Sequence, residues 1–459
     1  MKKYDAIVIG SGGGTKIALP AADRGLKAAL IEKGVMGGTC LNRGCIPSKM
    51  LIYPADLIHD IHRAHHVNIE VSQDLKVHFK GLVSRISDSV KALSDSLLKQ
   101  FNAHPDLDVY QGEARFTGDK TICVGEVEMT AERIFIAVGS RPRIPPIEGL
   151  DKTPYMTSTE ALRNNKLPRS MIILGAGFIA CELGHAYGTF GTEISFLVRS
   201  ELLRKMDRDV RSSFQQVFGR YHQIRAGLVP VRVFYEDDLF RVTLMNTLTG
   251  ETSEMQSEAF LVATGVIPET DRLGLENTAI KRTSEGYIEV DDRLQTHVKG
   301  VYALGDCIGH FFFRHTVNFE GEYLMRTIYE EPQDIPINYG PVPYAVFAVP
   351  EVAGLGKTED DLEKAGIDYV AGYSTYEESN VGMARQLDYG FAKILVDRQT
   401  KKLLGAHILG KEASDMIHIL IALMTMEGGL DDLLKMTYIH PALPEVVRDA
   451  ARDARDKMT

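Results

Sequence analysis

Tyr4-Asp5-Ala6-Ile7-Val8-Ile9-Gly10-Ser11-Gly12-Gly13-Gly14 reads as a buried strand running into a glycine turn. The unbroken apolar run Ala6–Ile9 suits a strand covered on both faces. Glycines after it permit a tight turn and let backbone N–H groups approach a pyrophosphate at a helix N-terminus. A small-residue helix is expected over 16–24, Gly25 ends it, and 27–31 forms the next strand. This is a β-α-β unit. The pattern returns at 170–198, with strand 171–174, the turn Gly175-Ala176-Gly177, helix 178–187 and strand 194–198. Two units about 165 residues apart indicate duplicated nucleotide-binding domains rather than a short structural repeat.

The two units differ where a ribose would sit. Glu32 follows Gly10 by 22 residues, placed to accept ribose hydrogen bonds. The matching position after Gly175 is Leu197, followed by Val198, Arg199 and, five further on, Arg204. A missing carboxylate removes repulsion of a 2′-phosphate, and arginines neutralise one with bidentate hydrogen bonds. The second site is therefore expected to favour NADP(H) over NAD(H). In the first unit, Thr15 stands where a third glycine would, which predicts looser helix–strand packing.

At 459 residues the chain has room for about three domains. Its 44% apolar and 25% charged content supports sizeable cores. The formal charge of −10 argues against non-specific binding to nucleic acid or an anionic membrane. No apolar run approaches the ~18 residues of a membrane span. Lys2, Lys3 and the short run after them do not make a secretory signal, so a cytoplasmic protein is expected. Five cysteines, at 40, 45, 123, 181 and 307, do not suggest a structural disulfide framework.

Between the two units, 44–66 and 83–101 read as helices. In the second, Ile86, Val90, Leu93, Leu97 and Phe101 are expected on one face. Strands follow over 107–138, and the proline-rich 139–149 reads as a crossover. Strands are expected over 230–264 with a turn at Thr249-Gly250, and again over 300–306. Past Pro341 the texture is α+β, with strands 343–349, 390–397 and 403–409 and helices 412–427 and 443–457.

The chemistry lies in Gly37-Gly38-Thr39-Cys40-Leu41-Asn42-Arg43-Gly44-Cys45-Ile46-Pro47-Ser48-Lys49. Two cysteines five positions apart lead into a helix, whose N-terminus stabilises a thiolate. A zinc site would need two further ligands, and the downstream His59, His62, His65 and His66 read as a solvated helix face. No metal is expected. Cys123, Cys181 and Cys307 read as small buried side chains.

Near the C-terminus stands His440-Pro441-Ala442-Leu443-Pro444-Glu445. Thiol exchange needs a group that gives and takes protons near neutrality, which histidine does. A carboxylate on its other nitrogen fixes the tautomer, and Glu445 is the candidate.

The thirteen-residue segment closely resembles the redox disulfide of the class I pyridine nucleotide-disulfide oxidoreductases. These include dihydrolipoyl dehydrogenase, glutathione reductase, mycothione reductase and mercuric reductase. The resemblance implies an α/β fold, with two Rossmann-like domains for FAD and NAD(P) plus a C-terminal α+β dimerisation domain. It implies an FAD domain over 1–150 and 270–340, an NAD(P) domain over 151–269 and an interface domain over 341–459. Cys40 would then be the interchange thiol and Cys45 the charge-transfer thiolate under the flavin. Lys49 would lie beside the flavin with Glu182 as its partner, and Phe178 would gate the nicotinamide pocket. The family's FAD site would draw on Gly10, Gly12, Gly14, Glu32, Gly38, Thr39, Lys49 and Gly139, with Gly305 and Asp306 as the second signature. Its NAD(P) site would draw on Gly175, Gly177, Phe178, Glu182, Arg199, Arg204 and Gly265. The strand signatures Ala137-Val138-Gly139 and Ala263-Thr264-Gly265, and Phe347–Ala353 opening the interface domain, extend the resemblance over most of the chain. His440 and Glu445 would serve the partner subunit, in a homodimer with shared active sites.

Within the family, no cysteine follows Cys307, which argues against mercuric reductase and the large thioredoxin reductases. Dihydrolipoyl dehydrogenase is the commonest bearer of the cysteine segment, and that type is expected, acting on a small or lipoyl-domain disulfide or dithiol. Val198-Arg199 and Tyr438 depart from it, and 439–447 looks more like mycothione reductase. An NADPH-dependent low-molecular-weight disulfide reductase is therefore the alternative. A non-catalytic flavoprotein subunit would be expected to lose Cys40, Cys45, His440 or Glu445, and all four are present.

Overall fold

The computed structural model describes residues 1–71 and 75–458. The chain forms two compact units. One comprises Met1–Ser48, Val83–Arg143 and Gly265–Tyr339; the other comprises the described residues of Lys49–Leu82, Ile144–Thr264 and Gly340–Thr459.

The first unit is built on a sheet ordered Leu107–Gln111, Ala28–Glu32, Lys2–Ile9, Val127–Ile136, Thr121–Val124 and Ala114–Gly118, with Val301–Ala303 also on Val127–Ile136. Lys2–Ile9 is parallel to both its neighbours, while Thr121–Val124 and Ala114–Gly118 run antiparallel. Ile7, Val8, Leu30, Ile134 and Phe135 are all buried, as the continuous apolar strand pattern requires. Each such side chain contributes ~1.5–3 kcal/mol on burial.

The helix after the first strand is Thr15–Ala22, burying Ile17, Ala18, Ala21 and Ala22. Its packing overturns the expectation attached to Thr15. A Cβ on Gly14 would lie 2.2 Å from the Gly10 carbonyl oxygen and 2.4 Å from Val8 Cγ1. The close approach is therefore made one residue earlier than the motif spacing suggested. Thr15 instead donates its hydroxyl to the Gly12 carbonyl at 3.0 Å.

Helix Phe79–Asn102 brings a second correction. Ile86, Val90 and Phe101 are buried, but Leu93 is 50% exposed. The buried stripe passes instead through Ser94, whose hydroxyl donates to the Met36 carbonyl at 2.7 Å. From Val90 the stripe steps by four residues rather than three, and both steps suit a 3.6-residue period. The start of the expected crossover, Ser140–Pro142, pairs antiparallel with Val266–Pro268.

The second unit contains a parallel sheet ordered Gln223–Ala226, Glu193–Val198, Ser170–Leu174 and Ala259–Val262. Helix Phe178–Thr189 joins Ser170–Leu174 to Glu193–Val198, so the second β-α-β unit is present. An antiparallel three-stranded sheet follows, Leu228–Glu236, Leu239–Asn246 and Thr252–Ser257. A further antiparallel sheet is ordered Tyr344–Val346, Val352–Gly356, Leu403–Leu409, Phe391–Asp397 and Tyr369–Thr375. The sequence pattern missed Val352–Gly356 and Tyr369–Thr375. Helix Pro444–Asp456 packs on Tyr369–Thr375 through small residues: a Cβ on Gly372 would lie 2.1 Å from the Ala450 carbonyl oxygen. That contact seats the helix carrying Glu445. No helix among the described residues is long and apolar enough to cross a membrane.

Candidate functional site

Gly10 has φ +102°, and a Cβ there would lie 2.3 Å from the Ala137 carbonyl oxygen. Only glycine meets both conditions. At the next strand end, one Glu32 oxygen accepts the Ser11 N–H at 2.9 Å and the Ser11 hydroxyl at 2.6 Å. Its other oxygen accepts the Gly34 N–H at 2.7 Å. Glu32 is thereby fixed at the mouth of the glycine turn. Gly38, at φ +65°, brings the cysteine segment against this turn, with room for no Cβ 2.6 Å from Gly12 Cα. Around the place of a Gly139 Cβ nothing lies within 4 Å.

The other acid of this unit, Asp306, accepts the Ser140 hydroxyl at 2.5 Å, and burial pushes its carboxyl above the usual range. Gly305 donates its N–H to buried Glu320 at 2.6 Å, and the Tyr339 hydroxyl donates to the other Glu320 oxygen at 2.7 Å. A glycine-rich turn at a helix N-terminus with two anchored carboxylates fits a dinucleotide such as FAD.

The cysteines occupy two short-range elements. Cys40, half-buried, lies in helix Gly38–Arg43, and exposed Cys45 begins helix Cys45–Arg63. Between them Gly44 folds the chain back: a Cβ there would lie 3.0 Å from the Thr39 carbonyl oxygen and 3.3 Å from Cys40 Cα. Buried Asn42 locks this bend, donating to the Met36 carbonyl at 2.9 Å and the Gly38 carbonyl at 3.0 Å. Cys45 at a helix start sits where the helix dipole favours a thiolate.

In the second unit, Gly175 repeats the geometry of Gly10. Its φ is +150°, and a Cβ would lie 2.3 Å from the Ala263 carbonyl oxygen. Space around Gly177 is open at the N-terminus of helix Phe178–Thr189, and Phe178 is 37% exposed there. Arg199 and Arg204 are both exposed. The loop holding them is tied to the turn by the Leu203 N–H, which donates to the Ala176 carbonyl at 2.8 Å.

Lys49 and Glu182 meet, Nζ to Oε2 2.8 Å. Glu182 is only 4% exposed, and its other oxygen accepts the Phe347 N–H at 3.2 Å. The Lys49 ammonium also lies 4.2 Å from the Phe347 ring centre. Burial pushes the Glu182 carboxyl above its usual range, and Lys49 and the Phe347 N–H pull against it without cancelling it.

His440 Nδ1 lies 3.1 Å from each oxygen of Glu445. The imidazole is exposed while the carboxylate is buried. Glu445 also accepts the Ala442 N–H at 3.1 Å and an Arg448 N–H at 2.8 Å. Sequence reasoning passed over Arg448, although its i+3 spacing from Glu445 on a helix was the available signal.

Two further expectations change. His59 is buried, not solvated, against the rings of His185 and Tyr221, and burial lowers it to about 4. His62, His65 and His66 are not buried. Cys181 and Cys307 are buried, burial pushing Cys307 up to about 12, but Cys123 is half-buried.

Residues 4–330 match the family described as pyridine nucleotide-disulphide oxidoreductase, and 342–451 match its dimerisation domain. The chain belongs to this family. Mycothione reductase of Mycobacterium tuberculosis is 32% identical over 98% of this chain and 99% of its own length. Dihydrolipoyl dehydrogenase 2, mitochondrial, of Arabidopsis thaliana is 30% identical over 99% of this chain and 90% of its own. Among solved structures, the Cu(II) complex of the HOCl-induced flavoprotein disulfide reductase RclA from Escherichia coli superposes with a TM-score of 0.88. It shares 26% identity and covers 98% of this chain and 99% of that one. Family members are FAD-dependent disulfide oxidoreductases with NAD(P)H as electron donor, and the dimerisation domain fits a homodimer.

Proposed function

We propose that this protein is a dihydrolipoyl dehydrogenase-type oxidoreductase that exchanges electrons between NAD(P)(H) and a small or lipoyl disulfide. The balanced reaction is NAD(P)H plus H⁺ plus a disulfide giving NAD(P)⁺ and two thiols, or its reverse. FAD, when bound, supplies the two-electron carrier between the nicotinamide and the cysteine pair. The Cys40 thiolate attacks one substrate sulfur and releases the first thiol. Cys45 then attacks Cys40, releasing the second thiol and leaving the Cys40–Cys45 disulfide. His440, oriented by Glu445, protonates the leaving thiolate and in reverse takes the proton from a dithiol. In a homodimer with shared sites, the pair serves the cysteines of the other subunit. Lys49, held by Glu182, presents a cation beside the flavin.

The observation that carries this reading is the His440–Glu445 pair, both carboxylate oxygens 3.1 Å from Nδ1, in a chain that also bears the two cysteines. A non-catalytic flavoprotein has no use for it. Three functional domains, for FAD (1–150 and 270–340), NAD(P) (151–269) and the interface (341–459), accompany the proposal. The low cysteine count supports a reducing, cytoplasmic setting.

A second reading, an NADPH-dependent reductase of a low-molecular-weight disulfide, is favoured by exposed Arg199 and Arg204 and by Tyr438. Steady-state kinetics pairing NADH and NADPH with lipoamide, glutathione disulfide and a mycothiol-type disulfide decide between them. Turnover with lipoamide supports the first. Turnover confined to NADPH and a small thiol disulfide supports the second, and no turnover with any pair sinks both.

A further inference from the structure

The Glu445 carboxylate serves two side chains. His440 Nδ1 contacts both its oxygens, and Arg448 donates to Oε1 at 2.8 Å. The Ala442 N–H holds Oε2 at 3.1 Å. Arg448 is itself held on its remaining sides. Its Nε and second terminal nitrogen grip the two Asp449 oxygens at 3.0 and 3.2 Å, and the guanidinium lies 5.8 Å from the Tyr438 ring centre. Asp449 in turn accepts from Arg452 at 2.9 Å. Glu445, Arg448, Asp449 and Arg452 all stand on helix Pro444–Asp456, and Tyr438 and His440 come from the segment before it.

An arginine is charged at every relevant pH, whereas an imidazole titrates near neutrality. Sharing one carboxylate between them has a definite sign. The fixed positive charge of Arg448 screens the negative charge that would otherwise reward protonation of His440. The same hydrogen bond fixes the plane of the carboxylate, and with it the imidazole tautomer.

We propose that Arg448 is a positioning residue that locks Glu445 toward His440 while weakening the carboxylate's pull on the His440 proton. The arrangement separates orientation from basicity: the imidazole stays aligned by Glu445, while the Arg448 charge offsets part of the carboxylate's attraction for its proton. Asp449 sets how much of the Arg448 charge is felt. Glu445 itself stays ionised, because the Ala442, His440 and Arg448 hydrogen bonds outweigh its burial and hold it below the usual carboxyl range. The proposal rests on the acid–base role given to His440 above, and the test separates the two.

The FAD-loaded dimer is labelled with [¹³Cε1]-histidine and titrated by NMR, the His440 signal being assigned by its loss in His440→Gln. Arg448→Gln is expected to raise the His440 midpoint by about half to one pH unit, the effect of one charge sharing a carboxylate with the imidazole under partial solvent screening. Asp449→Asn, which unmasks Arg448, is expected to lower it by a few tenths of a unit. Arg448→Lys keeps the charge and is expected to restore most of the wild-type value. A merely structural disturbance would move Arg448→Gln and Asp449→Asn in the same direction, and that result overturns the proposal. So does a midpoint in Arg448→Gln within about 0.2 unit of wild type. Separately, if reduced His440→Gln enzyme transfers electrons to lipoamide as fast as wild type, the acid–base role of His440 falls. The titration result for Arg448 stands or fails independently of that rate.

Discussion

Lys49 and Glu182 lie 133 positions apart in the chain and form a 2.8 Å ion pair, with the carboxylate buried and the ammonium against the Phe347 ring. Truncating the cation leaves a buried carboxylate with, among the described residues, only the Phe347 N–H to hold it. Lys49→Met is expected to slow flavin reduction by NAD(P)H about 10²-fold, the scale for removing one oriented electrostatic group from a site. Glu182→Gln, which keeps a hydrogen-bond acceptor, is expected to cost about tenfold. Stopped-flow absorbance of the flavin measures both, and wild-type rates in Lys49→Met would remove the pair from the chemistry.

Arg199 and Arg204 are exposed in the segment that follows strand Glu193–Val198. Their joint replacement by alanine is expected to raise the KM for NADPH at least about tenfold, the value of a charge-assisted contact to phosphate. KM for NADH and the melting temperature should hardly move. Equal effects on the two coenzymes would contradict 2′-phosphate binding there.

Buried histidines predict acid sensitivity. Burial lowers His59 from 6.5 to about 4 and His222 from 6.5 to about 3. His222 is ringed by Phe196 and Phe218, and its Nδ1 has no hydrogen-bond partner among the described residues. Between these values and 6.5 the unfolded chain binds more protons than the folded one, so the stabilisation is complete above 6.5 and drains away as pH falls. His222→Phe is expected to shrink the drop in Tm between about pH 7 and 5 by about 2–4 °C. An unchanged drop in calorimetry would show that His222 does not carry it.

Lys393 is fully buried with its ammonium on three carboxylates, Asp207 at 2.8 Å, Asp209 at 2.5 Å and Glu359. Removing the cation alone strands like charges. Lys393→Met is expected to cost ~3–5 kcal/mol, and Lys393→Met with Asp207→Asn to recover much of it. Denaturant unfolding at neutral pH checks both. Greater damage in the double variant would mean that packing, not charge, dominates.

What could be read from the chain was local. Gly10 and Gly175 announce themselves because strand, turn and helix are contiguous, and the cysteine segment names its chemistry within thirteen residues. His440 and Glu445 are close in sequence and close in space. The pairing of Lys49 with Glu182 came from likeness to a family, since no spacing rule joins residues so far apart. Features set by a second layer of structure were missed. His59 sits on a helix whose face looks polar, and only the rings of His185 and Tyr221 bury it. Strand Val352–Gly356 has two glycines in five residues and no alternation, so its identity depends on its neighbours Tyr344–Val346 and Leu403–Leu409. The choice of Ser94 over Leu93 is a matter of one residue of helical phase.

The likeness of Gly10 and Gly175 has a practical side. Each is pressed on a carbonyl of its own nucleotide unit, Ala137 for one and Ala263 for the other, and neither borrows space from its counterpart. On the proposed function, the two halves of the electron path are therefore expected to be silenced separately by one methyl group. Gly10→Ala should yield a colourless dimer, whereas Gly175→Ala should yield a yellow one that dithiols still bleach and NAD(P)H does not. On the proposed function, a chain with two copies of one turn is thus expected to carry two independent switches, one for the carrier and one for its supply.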